Sequence, residues 1–335
     1  MKKVMALIVA FLMILTTMSQ FVFAMDDKEE IKSTDDTGNL PIQTIGTDSV
    51  DVDISYDEAW SQEIAAYETS VGNMIDNVCN TNIYVTLATS TEESDRNQFV
   101  EKVINIYDQL SVDQKDALGS YLLGYAAGTN SKNVLDFLAS QKSATKVTSL
   151  AGYNTTAAIN YAYAYYSTYN LTDYPDVGAL GGDCANFVSQ CLYAGGKPMD
   201  SNWYIRKKNS TYPRPANATQ LDYSWDVANP SPWISAREFS PYWSWNGADT
   251  TDLIRVGDYL NWSSKIIVGY GNGDAVQIMK RNIIAYYGYH TMLITGTRAD
   301  YYYTAHTSSR KDYNLTTALG SYNSDEYMIK FYSMY

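Results

Sequence analysis

The sequence predicts an α+β fold, and three observations carry that expectation. Helical spacing of apolar residues dominates the first half of the chain, and alternation of β-branched and aromatic residues dominates the last third. Between them, a glycine pair followed by Asp183 and Cys184 opens an amphipathic helix. Helices first and strands afterwards describe an antiparallel sheet with helices packed on it, rather than repeated βαβ units. With 335 residues and 45% hydrophobic content, the chain can bury a large core, and its length suggests two domains with one as the main alternative.

Residues 1–24 have the form of a secretory signal: Lys2 and Lys3 make a basic end, Val4 to Thr16 an apolar stretch, and Val22-Phe23-Ala24 a small-residue cleavage site. The expectation is a secreted protein, extracellular or associated with the cell wall. Residues 25–53 are rich in Asp, Glu, Thr and Gly and read as a disordered leader that buries too little surface to order itself. No later apolar run reaches the ~18 residues needed to span a bilayer, so integral membrane association is not expected. A net charge of −13 makes nucleic acid a poor partner. The three cysteines, Cys79, Cys184 and Cys191, imply no disulfide framework. Within one helix a ~1.5 Å rise holds Cys184 and Cys191 about 10 Å apart, too far for a bridge.

Residues 54–145 read as a small helical domain. Ser55 to Asn80, Glu92 to Leu110, Val112 to Ala127 and a shorter piece over 133–142 carry helical spacing, with Phe99, Val103, Ile106 and Leu110 as one stripe. The region holds no histidine and no catalytic grouping, so it is expected to pack separately and to be dispensable for chemistry. After a break near Thr145 to Gly152, residues 150–335 form the second expected domain. Asn154 caps a tyrosine-rich helix running to about Tyr169, and a loop containing Pro175 and Gly178 leads to the cysteine helix.

That helix places Cys184 near its first position, where unpaired backbone N–H groups and the positive end of the dipole favour a thiolate and lower the pKa from ~8.5. The same N–H groups suit an oxyanion, with Asp183 and Asn186 as supporting residues and Asp183 as the expected cap. Cys191, on the face of Phe187 and Val188, reads as a packed structural thiol. Beyond Gly195-Gly196, six of the seven tryptophans lie in or next to a proline-rich stretch. Trp203, Trp225 and Trp233 are the candidates for a substrate-cleft wall, Trp225 first among them; burial in a core is the competing use of the same side chains. Strands are expected over Val256 to Trp262, Tyr289 to Thr297, Tyr301 to Thr307 and Tyr327 to Tyr332, with Arg298-Ala299-Asp300 as a hairpin link.

The chain has only two histidines, His290 and His306, both in the predicted strands. His290 is the candidate base, able to take the thiol proton and return it to an amine leaving group. A third polar group must fix its tautomer; His306 is the first candidate, with Asn186, Asp258 and Asp312 behind it. A zinc site built from the histidines, Cys184 and a carboxylate is the competing use, but no pair has close metal-ligand spacing, and neither metal nor cofactor is expected.

Taken together, these residues resemble the putative amidase domain family of secreted bacterial proteins, within the broad papain-like group. The resemblance covers about Gly152 to Ser321. Tyr153-Asn154, Ala157-Ala158 and Tyr161-Ala162 match the family's opening helix, and Gly181-Gly182-Asp183-Cys184 with Asn186-Phe187-Val188-Ser189-Gln190-Cys191 matches its signature, Ala185 standing where the family usually has Thr. Tyr223-Ser224-Trp225, Val256-Gly257-Asp258, His290-Thr291-Met292 and Ala305-His306-Thr307 are similar to its later motifs. The resemblance implies a papain-like domain whose cysteine helix packs on the sheet, and a cysteine amidase or peptidase with Cys184 as nucleophile and His290 as base. The sequence is also similar to NlpC-type cell-wall peptidases, whose third catalytic member is often a histidine, which supports His306. The implied partner is a peptide or amide substrate, with peptidoglycan as the natural choice for an exported bacterial enzyme. A wall- or glycan-binding module on an inert site and an acyltransferase using the same triad are the alternatives.

Overall fold

Apolar spacing does produce a run of helices at the start, and their buried stripes decide where they go. In the computed structural model, which describes residues 54–141, 152–229, 231–248 and 251–335, these are α1 (Ile54–Cys79), α2 (Tyr84–Thr89), α3 (Glu93–Ile106), α4 (Val112–Thr129) and α5 (Lys132–Gln141). The expected signal and leader lie outside the described residues. The tyrosine-rich helix α6 (Thr155–Tyr165) begins where Asn154 accepts a hydrogen bond from the Ala157 N–H at 3.0 Å, as its composition predicts. The cysteine helix α7 (Cys184–Ala194) follows. Short pieces come next: β1 (Ile205–Lys207), α8 (Ala218–Ser224), β2 (Trp225–Val227), α9 (Ala236–Tyr242), β3 (Thr251–Arg255) and α10 (Val256–Asn261). The chain finishes with β4 (Ala275–Asn282), β5 (Ala285–Thr297), β6 (Tyr301–Ala305), β7 (Arg310–Asn314), α11 (Leu315–Leu319) and β8 (Tyr327–Tyr332).

The fold is α+β. Six strands form an antiparallel sheet in the order β3-β8-β4-β5-β6-β7, and the Arg298 N–H to Asp300 carbonyl bond at 2.9 Å closes the expected β5–β6 hairpin. Because successive side chains alternate across a strand, the central strands face two helix layers at once. Val276, Ile278, Met292, Ile294 and Phe331 join the core made with α1, α3 and α4, whereas Ala275, Leu293 and Tyr332 join the core made with α6 and α7. Between Ile278 and Met279 the β4–β5 register steps, with Ile278 opposite His290 and Met279 opposite Gly288. Tyr289 is the extra residue of this bulge.

The sequence expectation fails in two places. Val256–Asn261 is a helix rather than a strand, its first turn set by the backbone break at Arg255, which has extended φ and ψ of −62° and 136°. The helices of 54–141 also do not pack separately: Trp60, Ile64, Val71, Phe99, Tyr121 and Leu122 share one apolar cluster with sheet residues Ile278, Tyr287 and Tyr289. Close approach reinforces this, since a Cβ on Gly128 of α4 would sit 1.4 Å from the Ile284 carbonyl oxygen. A buried polar tie crosses the same boundary. Glu68 of α1 pairs with Arg96 of α3 at 2.7 Å and accepts from Tyr287 of β5 at 2.9 Å and from Asn282 at 3.1 Å.

Glu68→Ala would leave the fully buried Arg96 guanidinium without its counter-charge. The expected cost is about 3–5 kcal/mol in urea unfolding. A variant as stable as the parent would show that the helices are not tied to the sheet through this residue.

Candidate active site

Two consecutive residues in left-handed backbone geometry turn the chain into α7, and both are glycine: Gly181 at φ 110° and Gly182 at φ 119°. Asp183 follows but does not cap the helix with its side chain. Its carboxylate is drawn elsewhere. Oδ1 accepts from the Val177 N–H at 3.0 Å and the Asn186 side chain at 2.8 Å, and Oδ2 lies 2.8 Å from His306 Nδ1. With no carboxylate at the helix mouth, the first-turn N–H of Ala185 is left to the Cys184 sulfur, which also meets the backbone N–H of Thr291 and the hydroxyl of Tyr56. The thiol therefore lies beside the His290–Thr291 peptide of β5.

The electrostatics of Cys184 and His290 each differ from the sequence expectation, and the structure records no hydrogen bond between the two side chains. Cys184 is 2% exposed, and burial raises its pKa above the ordinary thiol range, outweighing the Thr291 N–H, the Tyr56 hydroxyl and the Ala185 N–H, which act in the other direction. The depressed pKa expected from the helix N-terminus is thus overridden by desolvation. His290 is half-buried, and burial lowers its pKa to about 4. Near pH 7 the thiol and the imidazole are both uncharged.

His306 does not orient His290. Its Nδ1 faces the Asp183 carboxylate, and its Nε2 faces the carbonyl oxygens of Tyr165 at 2.5 Å and Thr168 at 3.0 Å. Carbonyls accept only, so Nε2 carries a proton; the carboxylate accepts as well, so both ring nitrogens donate and the ring is an imidazolium. Burial opposes that charge, but the Asp183 bond and charge and the two carbonyls prevail, and the pKa is raised. Phe187 stacks on the ring at 4.3 Å. His306 is a strut joining the end of β6, the end of α6 and the residue before Cys184.

The proposed supporting and cleft residues also move to new roles. Asn186 is fully buried, donating to Asp183 and to the Pro175 carbonyl and accepting from Trp233 Nε1 at 3.1 Å, so no part of it is left for an oxyanion. Trp203, Trp225 and Trp233 are each 0% exposed and do not line a cleft. Trp203 donates to Ser189 and packs on Trp233 at 4.5 Å behind α7, while Trp225 donates to the Tyr212 carbonyl. Asp312 is engaged by Thr295 and Tyr163. Asp258 lines a surface depression of about 540 Å3 with Arg255, Asn261 and Trp262, which does not include Cys184.

Residues 152–331 match the family described as the putative amidase domain. The chain belongs to this family. Membership points to hydrolysis of an amide bond. An uncharacterized protein from Bacillus subtilis (strain 168), YhbB, is 24% identical over 149 residues, covering 41% of this chain and 42% of its own length. The chain thus spans less than half of that relative. No solved structure matches. Among the described residues, no group of three His, Cys, Asp or Glu side chains is placed to hold a metal, and no helix is long and apolar enough to cross a membrane.

At this site, no feature of the sequence singles out Tyr56 or the Thr291 N–H. The first comes from a helix outside the family match and the second is a backbone group, and neither leaves a local sequence signal.

Two outcomes test the reassigned residues. Since His306 has a raised pKa in the folded state, its contribution to stability is full below about pH 6.5 and is lost as pH rises through the folded value. Urea midpoints measured across pH should show that decline, and His306→Asn should flatten it; an unchanged profile would mean that the ring is neutral. Trp233→Ala should cost about 3–5 kcal/mol in the same assay, as expected for a buried indole. Wild-type stability with reduced substrate use would restore Trp233 to a cleft.

Proposed function

We propose that this protein is a secreted cysteine amidohydrolase of papain-like architecture, with Cys184 as nucleophile and His290 as base, acting on amide bonds of cell-wall peptide. The observation that carries the reading is the placement of the Cys184 thiol: it lies at the mouth of α7, against the N–H of the residue next to His290, in a domain of amidase family.

The chemistry follows from the uncharged pair. As the sulfur attacks the carbonyl carbon of the amide, its proton passes to the neutral imidazole, and the oxyanion formed is met by first-turn N–H groups of α7. Collapse breaks the C–N bond, the imidazolium gives its proton to the departing amine, and a thioester remains on Cys184. Water, deprotonated by His290, then attacks the thioester, releasing the carboxylic acid and restoring the thiol. The signal-like residues 1–24 support export, and export with this chemistry supports a wall peptide as substrate. Full burial of Trp203, Trp225 and Trp233 removes the feature that favoured a glycan-binding module.

Purified wall fragments incubated with the wild type should release free amine. Release should be abolished in Cys184→Ala and reduced at least about 100-fold in His290→Ala. With the His290 pKa lowered to about 4, the base is competent above that value, so the acid limb of kcat/KM should lie near pH 4 rather than near 6.5. Amine release that persists in Cys184→Ala would remove the mechanism.

A further inference from the structure

At 2% exposure, Cys184 cannot be reached by an amide without movement, and the group standing over it is Tyr56 in the first turn of α1. Four contacts fix that ring. Its hydroxyl hydrogen-bonds with Cys184 and donates to the carbonyl oxygen of Tyr289, the bulge residue of β5. The ring meets Tyr289 edge-on, centroids 5.1 Å apart. It also lies so close to the chain before Cys184 that a Cβ on Gly182 would come within 2.8 Å of its Cε2.

A phenol has one proton, and here that proton is committed to the Tyr289 carbonyl. The sulfur is therefore held against a hydroxyl whose bond to β5 keeps the ring in place over it. Steric cover and the bond to the Tyr289 carbonyl thus favour the same closed state. The pairing of His290 with Ile278, whose side chain lies in the core shared with α1, puts His290 on the sheet face covered by that helix.

Resting on the cysteine-amidase reading, we propose that Tyr56 is a gate over Cys184, and that the chemistry requires its ring to swing away, in a minor conformation or under an entering substrate. Little else has to move. Trp60, Ile64, Val71 and Ile75 anchor the body of α1 in the core, and Trp60 Nε1 donates to the Gly288 carbonyl at 3.0 Å. Ahead of Trp60, the half-buried Asp57 holds the first turn through Lys280 at 2.6 Å and the Tyr289 hydroxyl at 2.7 Å. Helix ends are the segments that open at least cost in free energy, so a terminal turn above an anchored body is suited to local opening. Tyr56 lies outside residues 152–331, so the gate comes from a helix beyond the span that matches the amidase family.

The test is native-state alkylation of the full chain with iodoacetamide, with labelling of Cys184 and Cys191 followed separately by peptide mass spectrometry. The urea-unfolded chain supplies the unprotected rate. Cys191 is fully buried deeper in α7, so it labels only when the fold opens globally. Tyr56→Ala should label Cys184 about tenfold or more faster than the wild type with Cys191 unchanged. Tyr56→Phe, which keeps the ring, should stay within about threefold of the wild type. Equal Cys184 rates in Tyr56→Ala and wild type would overturn the gate, as would acceleration of Cys184 and Cys191 together, or a Phe variant as fast as the Ala variant. The wall-fragment assay separates this claim from the reaction. Fast labelling in Tyr56→Ala without Cys184-dependent amine release keeps the gate and removes the amidase reading. Amine release with unaccelerated labelling removes the gate alone.

Discussion

The carboxylate of Asp183 decides the geometry around the thiol. It is buried, and it binds the Val177 N–H, the Asn186 amide and the His306 imidazolium together. Each of these belongs to a different part of the site: the incoming loop, the cysteine helix and the end of β6. Because the carboxylate is spent on them, it does not cap α7, and the helix mouth is left to the sulfur. A buried ion pair of this kind adds little net stability compared with a well-packed apolar pair, but losing one partner is costly. Its use here is positional, fixing Cys184 relative to the end of β6.

The neutral resting pair sets this site apart from one with a preformed thiolate. Burial pushes the thiol up and the imidazole down, so in the proposed reaction charge would separate only as the sulfur attacks. Such a site is quiet toward stray electrophiles while closed. Its reactivity depends on hydration and on what occupies the space above the sulfur, both of which change when a substrate enters.

What the sequence revealed follows the range of the forces involved. The start of α7 was legible because two adjacent glycines and a 3.6-residue stripe are local signals, and β8 was legible because Tyr327 to Tyr332 alternate. β4 escaped notice: both of its faces are covered, so Gln277 is as buried as Val276 and the polar-apolar rhythm is weak. The three tryptophans were legible as important but not as core, since an indole in a proline-rich loop has the same neighbours in sequence whether it faces water or the back of a helix. His306 stands on the predicted strand, yet its partners come from α6 and from the loop before α7. The sign of the Cys184 shift was misread because a helix N-terminus is a local property whereas desolvation is a tertiary one. Among 31 tyrosines, nothing local singles out Tyr56.

The contacts that close the site also join the two ends of the described chain. Tyr56 meets Tyr289 across 233 positions, Trp60 meets Gly288 across 228, and Glu68 meets Tyr287 across 219. Loop closure over such spans must precede the contacts that reward it, and folds dominated by distant pairings form slowly. α1 is made early, yet the strand that receives its apolar face is made late. During synthesis the helix therefore carries an unsheltered stripe of Trp60, Ile64, Val71 and Ile75, and the half-made chain is the form most exposed to aggregation. Any factor that keeps the chain unfolded until its last strands have emerged protects the protein at its weakest moment.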